Sequence, residues 1–122
     1  MEKLPPELQN QLVQLQQLQQ QLEVIAQQRQ ALQLKLSETQ HALEELRKTK
    51  KNLSVYKSAG PLLMRVESKE SAIGELQSDA ETLEIRVKTL EKQEGHLKER
   101  VNILESKVRN ALNLSGGLKG AQ

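Results

Sequence analysis

The sequence predicts a mainly α protein, a long antiparallel two-helix coiled coil whose helices are joined by one β-hairpin. Apolar residues recur at alternating spacings of three and four in two long segments of the chain. Between them lies a short segment with Gly60, Pro61 and Tyr56, the only aromatic residue. The 122-residue chain has no Phe and no Trp, so it lacks the bulky side chains that usually fill a globular core. A coiled coil needs no such core.

Helix one is predicted over about residues 5–53. Pro5 and Pro6 suit a first helical turn, where the missing N–H is not needed, and Glu7 suits the positive end of the helix dipole. With Leu15 placed at heptad position a, eleven of the fifteen a and d positions from residue 4 to residue 53 are apolar. That regularity is typical of a coiled-coil seam.

Helix two is predicted over about residues 68–113. Ser68 is the expected N-cap, and Glu70 lies just inside the first turn. Every a and d position from Ile73 to Ala111 is apolar except Glu94. Glycines within the helix should each cost about 1 kcal/mol relative to Ala. Residues 114–122 contain several further glycines and are expected to form a flexible tail.

The two predicted helices have apolar seams of similar length, and the segment with Gly60 and Pro61 interrupts the helix between them. This favours a chain that folds back on itself, so that the two seams bury each other. The alternative is a parallel dimer of two separate rods. Folding about Ala59 and Gly60 would bring Arg29 and Glu94 within about four residues of each other along the seam. We interpret these two charges as an ion pair that sets the register, although each could instead extend to solvent.

The segment over about residues 54–67 predicts the β-hairpin. The runs "LSVYK" and "LLMRVES" are compatible with strands, and "SAGP" between them supplies turn residues. Pro61 cannot donate a strand hydrogen bond, so the sequence does not determine at which residue the second strand starts. A lone hairpin is marginally stable and has two unpaired edges, which predicts oligomerisation by β-strand addition. The alternative is an irregular loop. The predicted oligomerisation residues are Val55, Tyr56, Leu62, Leu63, Met64 and Val66.

The composition offers little for catalysis or for metal binding. The chain contains no Cys, and its two His residues, His41 and His96, fall at outward-facing heptad positions. The basic cluster Arg47–Lys51 has no aromatic residues between its charges, so we interpret it as a solvated face that complements the negative end of helix one. We expect no enzyme activity, no cofactor and no metal site.

The charge balance and the hydropathy pattern also exclude some partners. A net charge of +2 with interleaved signs predicts no strong attraction to nucleic acid or to a membrane surface. No apolar run suits a signal peptide or a membrane span, so a cytoplasmic location is expected.

Four segments resemble, in the same order, the prefoldin beta subunit family of the archaeal type. They are "QLQQLQQQLEVIAQQRQ", "ETQHALEEL", "VYKSAGPLLMRV" and "ETLEIRVKTLEKQE", and the resemblance covers about Leu8 to Leu112. The hairpin that follows "ALEEL" is the most specific part. The resemblance implies one prefoldin-type domain over residues 1–122, with the hairpin pairing with other subunits in a β-barrel body.

The resemblance also implies a function. An archaeal prefoldin is a hexamer of two alpha and four beta subunits, and a beta subunit would join an alpha subunit and further beta subunits in it. It would act as an ATP-independent holdase that captures unfolded proteins at the coiled-coil tips and transfers them to a group II chaperonin. The alternatives are a structural or tethering coiled coil, which needs no hairpin, and a nucleic-acid-binding coiled coil, whose binding would depend strongly on salt.

The two ends of the chain lie farthest from the predicted hairpin and carry more apolar residues than one two-helix seam can bury. Such ends should fray and contact hydrophobic segments of an unfolded client. The predicted client-binding residues are Leu4, Leu8, Leu12, Val13, Val108, Leu112 and Leu114.

Overall fold

The computed structural model describes residues 4–50 and 53–114. The elements follow the order α1 (Pro6–Lys48), β1 (Tyr56–Ala59), β2 (Leu62–Arg65) and α2 (Lys69–Leu114). Two long helices with a small antiparallel hairpin between them confirm the predicted fold class. Leu114, which begins the predicted tail, is the last residue of α2, and residues 115–122 lie outside the described part of the chain. The single domain predicted over residues 1–122 stays a prediction.

Helix α1 begins where the proline pair predicts but ends at Lys48, so the predicted end near residue 53 is wrong. The hydroxyl of Thr49 donates to the carbonyl of Leu46 at 2.7 Å, and its N–H contacts the same oxygen at 3.2 Å. Such short-range bonds close the last turn of a helix. The heptad pattern does not detect this end because Leu53 still falls at a d position, yet its side chain is exposed.

The hairpin has a regular register. Tyr56 pairs with Arg65 at one end, and Ala59 pairs with Leu62 at the turn. Gly60 has a φ of 60°, the positive value that the first loop residue of a type II′ hairpin requires. Pro61 therefore occupies the turn, outside the ladder, and its missing N–H interrupts no strand hydrogen bond. The second strand starts at Leu62.

Helix α2 begins with the predicted cap. The Ser68 hydroxyl accepts a hydrogen bond from the N–H of Ser71 at 3.0 Å, which satisfies one of the unpaired donors at the helix start. The helix continues without a break through Gly74 and Gly95.

The chain divides into two compact units. The first contains the described residues of Met1–Gln28 and Leu90–Gln122, and the second contains Arg29–Thr89. In the second unit Gln40 Nε2 donates to Glu84 Oε1 at 3.4 Å, and Lys69 reaches the carbonyl of Arg47 at 3.4 Å. In the first unit the start of α1 lies beside the end of α2. The helices are therefore antiparallel within each unit.

Each unit has a narrow core made of heptad seam residues, to which the second unit adds Ala72. No described side chain is completely enclosed, as expected for two helices that share one seam. Within the described residues, no helical stretch combines the length and the apolar character needed to cross a bilayer. The buried apolar residues are Leu8, Leu18, Val101 and Val108 in the first unit and Leu43, Ala72, Ala80, Leu83 and Val87 in the second.

Candidate assembly and client-binding surfaces

The hairpin presents an apolar surface that this chain does not cover. Leu62, Leu63 and Met64 follow one another along β2, and all three side chains are exposed, with Leu63 at 74%. Because successive side chains of a strand point to opposite faces, neither face of β2 is buried by the rest of the chain. Tyr56 on β1 is also exposed. We call Tyr56, Leu62, Leu63 and Met64 the hairpin surface.

The hairpin also has backbone edges that no further strand of the described residues covers. Its sheet has two strands among the described residues, so each strand has one edge whose N–H and C=O groups pair with no other strand there. Such edges are templates for pairing with a further chain. The geometry suits strand addition, as the sequence predicts.

The two other predicted assembly residues lie at the base of the hairpin. Val55 and Val66 are half-buried, and the N–H of Val66 donates to the carbonyl of Val55 at 3.0 Å. Both line a cavity of about 320 Å³ in the second unit, together with apolar side chains of α1 and α2 such as Leu46 and Leu76. These valines connect the hairpin surface to the helices.

An ion pair that the sequence analysis missed attaches β1 to α2. Lys57 Nζ lies 2.6 Å from Glu75 Oε1, and both side chains are more than half exposed. The hydrogen bond to Glu75 and the charge of that carboxylate raise the pKa of Lys57, with a smaller contribution from Asp79. The residues are eighteen apart in sequence, so no local pattern could have signalled the pair.

At the other end of the helices, two of the predicted client-binding residues are core residues. Leu8 is 3% exposed and Val108 is 6% exposed, so neither side chain presents apolar surface, and their role in client binding stays a prediction. Each occupies an a position, which faces the partner helix in a coiled coil. They support the end of the coil.

The remaining predicted client-binding residues have more accessible side chains. Leu114 is 89% exposed and Val13 is 53% exposed, whereas Leu4, Leu12 and Leu112 are half-buried. Leu114 also lines a groove of about 550 Å³ between the start of α1 and the end of α2. We call this the end groove, and its lining residues are Pro5, Glu7, Leu8, Gln11, Lys107, Asn110, Ala111 and Leu114.

The two charged seam residues make local contacts. Arg29 Nη1 donates to Gln33 Oε1 at 2.6 Å in the second unit. Glu94, in the first unit, is the only buried charged side chain among the described residues, and its Oε2 lies 3.8 Å from Lys98 Nζ. Their mutual pairing stays a prediction.

The other polar residues singled out in the sequence lie at the surface. His41 and His96 are both exposed, as their heptad positions predict. Over residues 4–50 and 53–114, no group of three or more His, Asp or Glu side chains is arranged to hold a metal ion. Arg47 and Lys48 occupy the last turn of α1, while Lys51 lies outside the described residues.

Comparisons with known proteins agree with this geometry. The model of the prefoldin subunit family matches residues 9–114. Prefoldin subunit beta of Archaeoglobus fulgidus is 47% identical over 85 residues, covering 70% of this chain and 72% of the relative. The protein of the same name from Pyrococcus furiosus is 41% identical over the same length and shares.

Solved structures give the same result. The crystal structure of the prefoldin beta subunit from Thermococcus strain KS-1 matches with a TM-score of 0.81 at 39% identity, covering 92% of this chain and 97% of that one. The prefoldin beta2 subunit of the same strain matches with a TM-score of 0.68 at 25% identity, over 75% of this chain and 96% of that one.

The fold and the open hairpin define a class of helix–hairpin–helix coiled-coil subunits that present sheet edges for further pairing. Within that class, this chain belongs to the prefoldin subunit family. Prefoldin subunits are chaperone components rather than enzymes, and the chain has the general role of a chaperone subunit.

Proposed function

We propose that this chain is the beta-type subunit of a cytoplasmic, ATP-independent holdase. In this proposal, four copies join two alpha-type subunits through their hairpins to form a β-barrel body. The coiled-coil ends capture unfolded proteins, which then pass to a group II chaperonin. Family membership supports the proposal, as do the exposed hairpin surface and the accessible apolar side chains at the helix ends.

The observation that carries it is the run of three exposed apolar residues on a strand with an open edge, Leu62 to Met64. A lone two-stranded hairpin is marginal in water, and an apolar edge strand is prone to pair with other chains. Strand addition from neighbouring subunits would cover both the unpaired backbone and these side chains. Val55 and Val66 would support the hairpin from beneath.

The client would bind at the helix ends. Leu114 and Val13 offer accessible apolar side chains, and the end groove offers a concave surface beside Leu114. Each contact would be weak, since one or two side chains bury little apolar area. Several ends acting on one client would raise the overall affinity through effective concentration. Release would follow when a chaperonin competes for the same apolar segments.

Light scattering tests the proposal directly. The chain, mixed with an alpha-type partner, should suppress the aggregation of a urea-denatured test protein without ATP. Multi-angle light scattering on the same sample should give the mass of six chains. An assembly that forms but leaves aggregation unchanged would favour a structural or tethering coiled coil, and a chain that remains monomeric would contradict the role of the hairpin.

A further inference from the structure

Met64 is the one sulfur-containing residue among residues 4–50 and 53–114. The chain has no Cys, and its second methionine, Met1, lies outside the described residues. Met64 occupies the third position of β2, and its side chain is 54% exposed. Oxidation at sulfur in the described part of the chain therefore falls on a residue of the hairpin surface.

Met64 shares one face of the hairpin with three other strand residues. Lys57 lies directly opposite it on β1, and Ala59 and Leu62 form the cross-strand pair nearer the turn. Because side chains alternate along a strand, these four residues lie on the same face. Ala59 and Leu62 have no polar side-chain atoms, so Lys57 is the only side-chain hydrogen-bond donor on this face of the two strands.

That donor is already engaged by α2. Lys57 Nζ donates to Glu75 Oε1 at 2.6 Å. An oxygen atom added to the Met64 sulfur would therefore have to compete with the Glu75 carboxylate for Lys57, or remain without a donor from the side chains on this face. A carboxylate is the stronger acceptor for an ammonium group, because both partners are charged.

Oxidation converts the Met64 side chain from an apolar group into a polar one. The lone pair of the thioether sulfur attacks the O–O bond of a peroxide and one oxygen atom is transferred to the sulfur. The sulfur loses two electrons, and the peroxide is reduced to water or to an alcohol. The product is methionine sulfoxide, whose S=O group is a hydrogen-bond acceptor, and methionine sulfoxide reductases reverse the reaction.

We propose that Met64 is an oxidation site that controls whether a free subunit joins the assembly. In the free chain the thioether is accessible to a peroxide. When a neighbouring strand covers the hairpin surface, the sulfoxide oxygen is taken out of water without a free donor, which is unfavourable. Oxidised subunits therefore stay unassembled, whereas the unmodified thioether is buried at no such cost.

This inference rests on the proposed assembly through the hairpin and adds a regulation of that surface. The same strand that the sulfoxide excludes also shields the thioether once the assembly has formed. A peroxide thus acts on free subunits and spares those already assembled. Reduction of the sulfoxide returns the free subunits to the pool that can assemble.

Oxidation of the isolated full-length chain with hydrogen peroxide, before mixing with an alpha-type subunit, tests the site. Mass spectrometry of peptides verifies one added oxygen atom at Met64. Multi-angle light scattering over a dilution series then gives the concentration at which half of the chains are assembled. Oxidation should raise that concentration about tenfold, and a methionine sulfoxide reductase should restore it. An oxidised chain that assembles at the unchanged concentration would overturn the proposal.

Met64→Leu is the matched control. Leu has a similar volume and is apolar, so the variant should assemble normally, and it has no thioether at this position. Peroxide should leave its assembly unchanged, although Met1 is still present. An equal loss of assembly in this variant and in the wild type would place the damage outside Met64 and contradict the proposal.

Met64→Gln separates the effect of polarity from the effect of the oxidant. It places an amide oxygen near the position of the sulfoxide oxygen, with no peroxide in the sample. The half-assembly concentration should rise about tenfold, as for the oxidised wild type. Assembly of Met64→Gln at the wild-type concentration would show that this site accepts a polar group, which would overturn the mechanism.

The preformed assembly provides a test of shielding. Free chain and assembly are treated with the same peroxide, and sulfoxide formation at Met64 is followed over time by mass spectrometry. Free methionine added to both samples reports the activity of the oxidant. Met64 should be oxidised severalfold more slowly in the assembly. Equal rates would show that no neighbouring strand covers the side chain.

These outcomes can be told apart from a failure of the proposed function. If the assembly forms and protects a denatured protein, but the oxidised chain assembles equally well, only the oxidation site is wrong. If oxidation blocks assembly while the untreated assembly protects no client, the holdase is wrong and the oxidation site stands. A chain that does not assemble even before treatment would overturn both.

Discussion

At the scale of the residue, the described glycines occupy two different backbone environments. Gly60 has a positive φ that ordinary side chains rarely adopt. Gly74 and Gly95 lie inside α2, and a Cβ added to either would meet no atom within 4 Å. The same residue type is thus needed in the turn and dispensable in the helix.

Replacing Gly95 with Ala should therefore stabilise the protein. Ala lowers the conformational entropy of the unfolded chain and has the higher helix propensity, which together are worth about 1 kcal/mol. Urea unfolding followed by circular dichroism would measure the gain. Gly60→Ala is the opposing control and should destabilise by about 1 kcal/mol or more, because Ala is strained at that φ. An unchanged midpoint for Gly95→Ala would contradict the prediction.

At the scale of the element, the C-terminus of α1 is capped from the other helix. Lys69, in the first turn of α2, donates from Nζ to the carbonyl of Thr49 at 2.5 Å and to that of Arg47 at 3.4 Å. A cation there satisfies unpaired carbonyls and complements the negative end of the helix dipole.

Lys69→Met should reduce stability by about 1 kcal/mol, the usual effect of such a cap and its dipole interaction. Hydrogen exchange should become faster in the last turn of α1 and stay unchanged near Pro6. Lys88→Met, an exposed substitution in the same helix, is the control. Equal exchange in the two variants would show that Lys69 does not stabilise the last turn of α1.

The ion pair between Lys57 and Glu75 predicts a dependence on pH. Because the folded state raises the pKa of Lys57, the pair contributes stability below the ordinary lysine pKa and loses it as pH rises through the raised value. The stability difference between the wild type and Lys57→Gln should therefore shrink above pH about 10.4. Urea unfolding at neutral and strongly alkaline pH measures it, and a constant difference would exclude the charge as its cause.

A charge placed on the hairpin surface should prevent assembly and leave the helices folded. Leu63→Asp should prevent strand-mediated oligomerisation, since it places a charge where an apolar side chain is to be covered. Helical content by circular dichroism should remain largely intact. Leu34→Asp is the matched control, because Leu34 is similarly exposed on α1. If Leu63→Asp elutes at the size of the intact assembly in size-exclusion chromatography, the hairpin surface does not carry assembly.

At the scale of the whole molecule, assembly and client binding are expected to depend on different parts of the chain. Leu114→Ser and Val13→Ser remove accessible apolar groups without touching the buried seam. Assemblies of these variants should keep their mass but suppress client aggregation less well, in proportion to the apolar area lost. His41→Ser is an exposed control that should be silent. If both variants suppress client aggregation as well as the wild type does, the client does not bind at the helix ends.

Much of the fold could be predicted from the sequence, because a coiled coil is specified by the local periodicity of its apolar residues. The heptad spacing predicted both helices, Ser68 predicted the start of α2, and Gly60 next to Pro61 predicted the turn. The predicted assembly residues rest on a local signal too, since apolar strand residues beside a turn are recognisable in the sequence.

The sequence by itself determined the element types, their order and the residues that face the seam, because each follows from spacing along one chain. Only the tertiary structure decided which of those residues are covered. Leu8 and Val108 are buried while Leu114 is exposed, although all three are apolar residues near chain ends. Burial depends on which side chains of the opposite helix lie alongside, and this cannot be read from spacing along one helix. The cap by Lys69 and the Lys57–Glu75 pair likewise join residues distant in sequence.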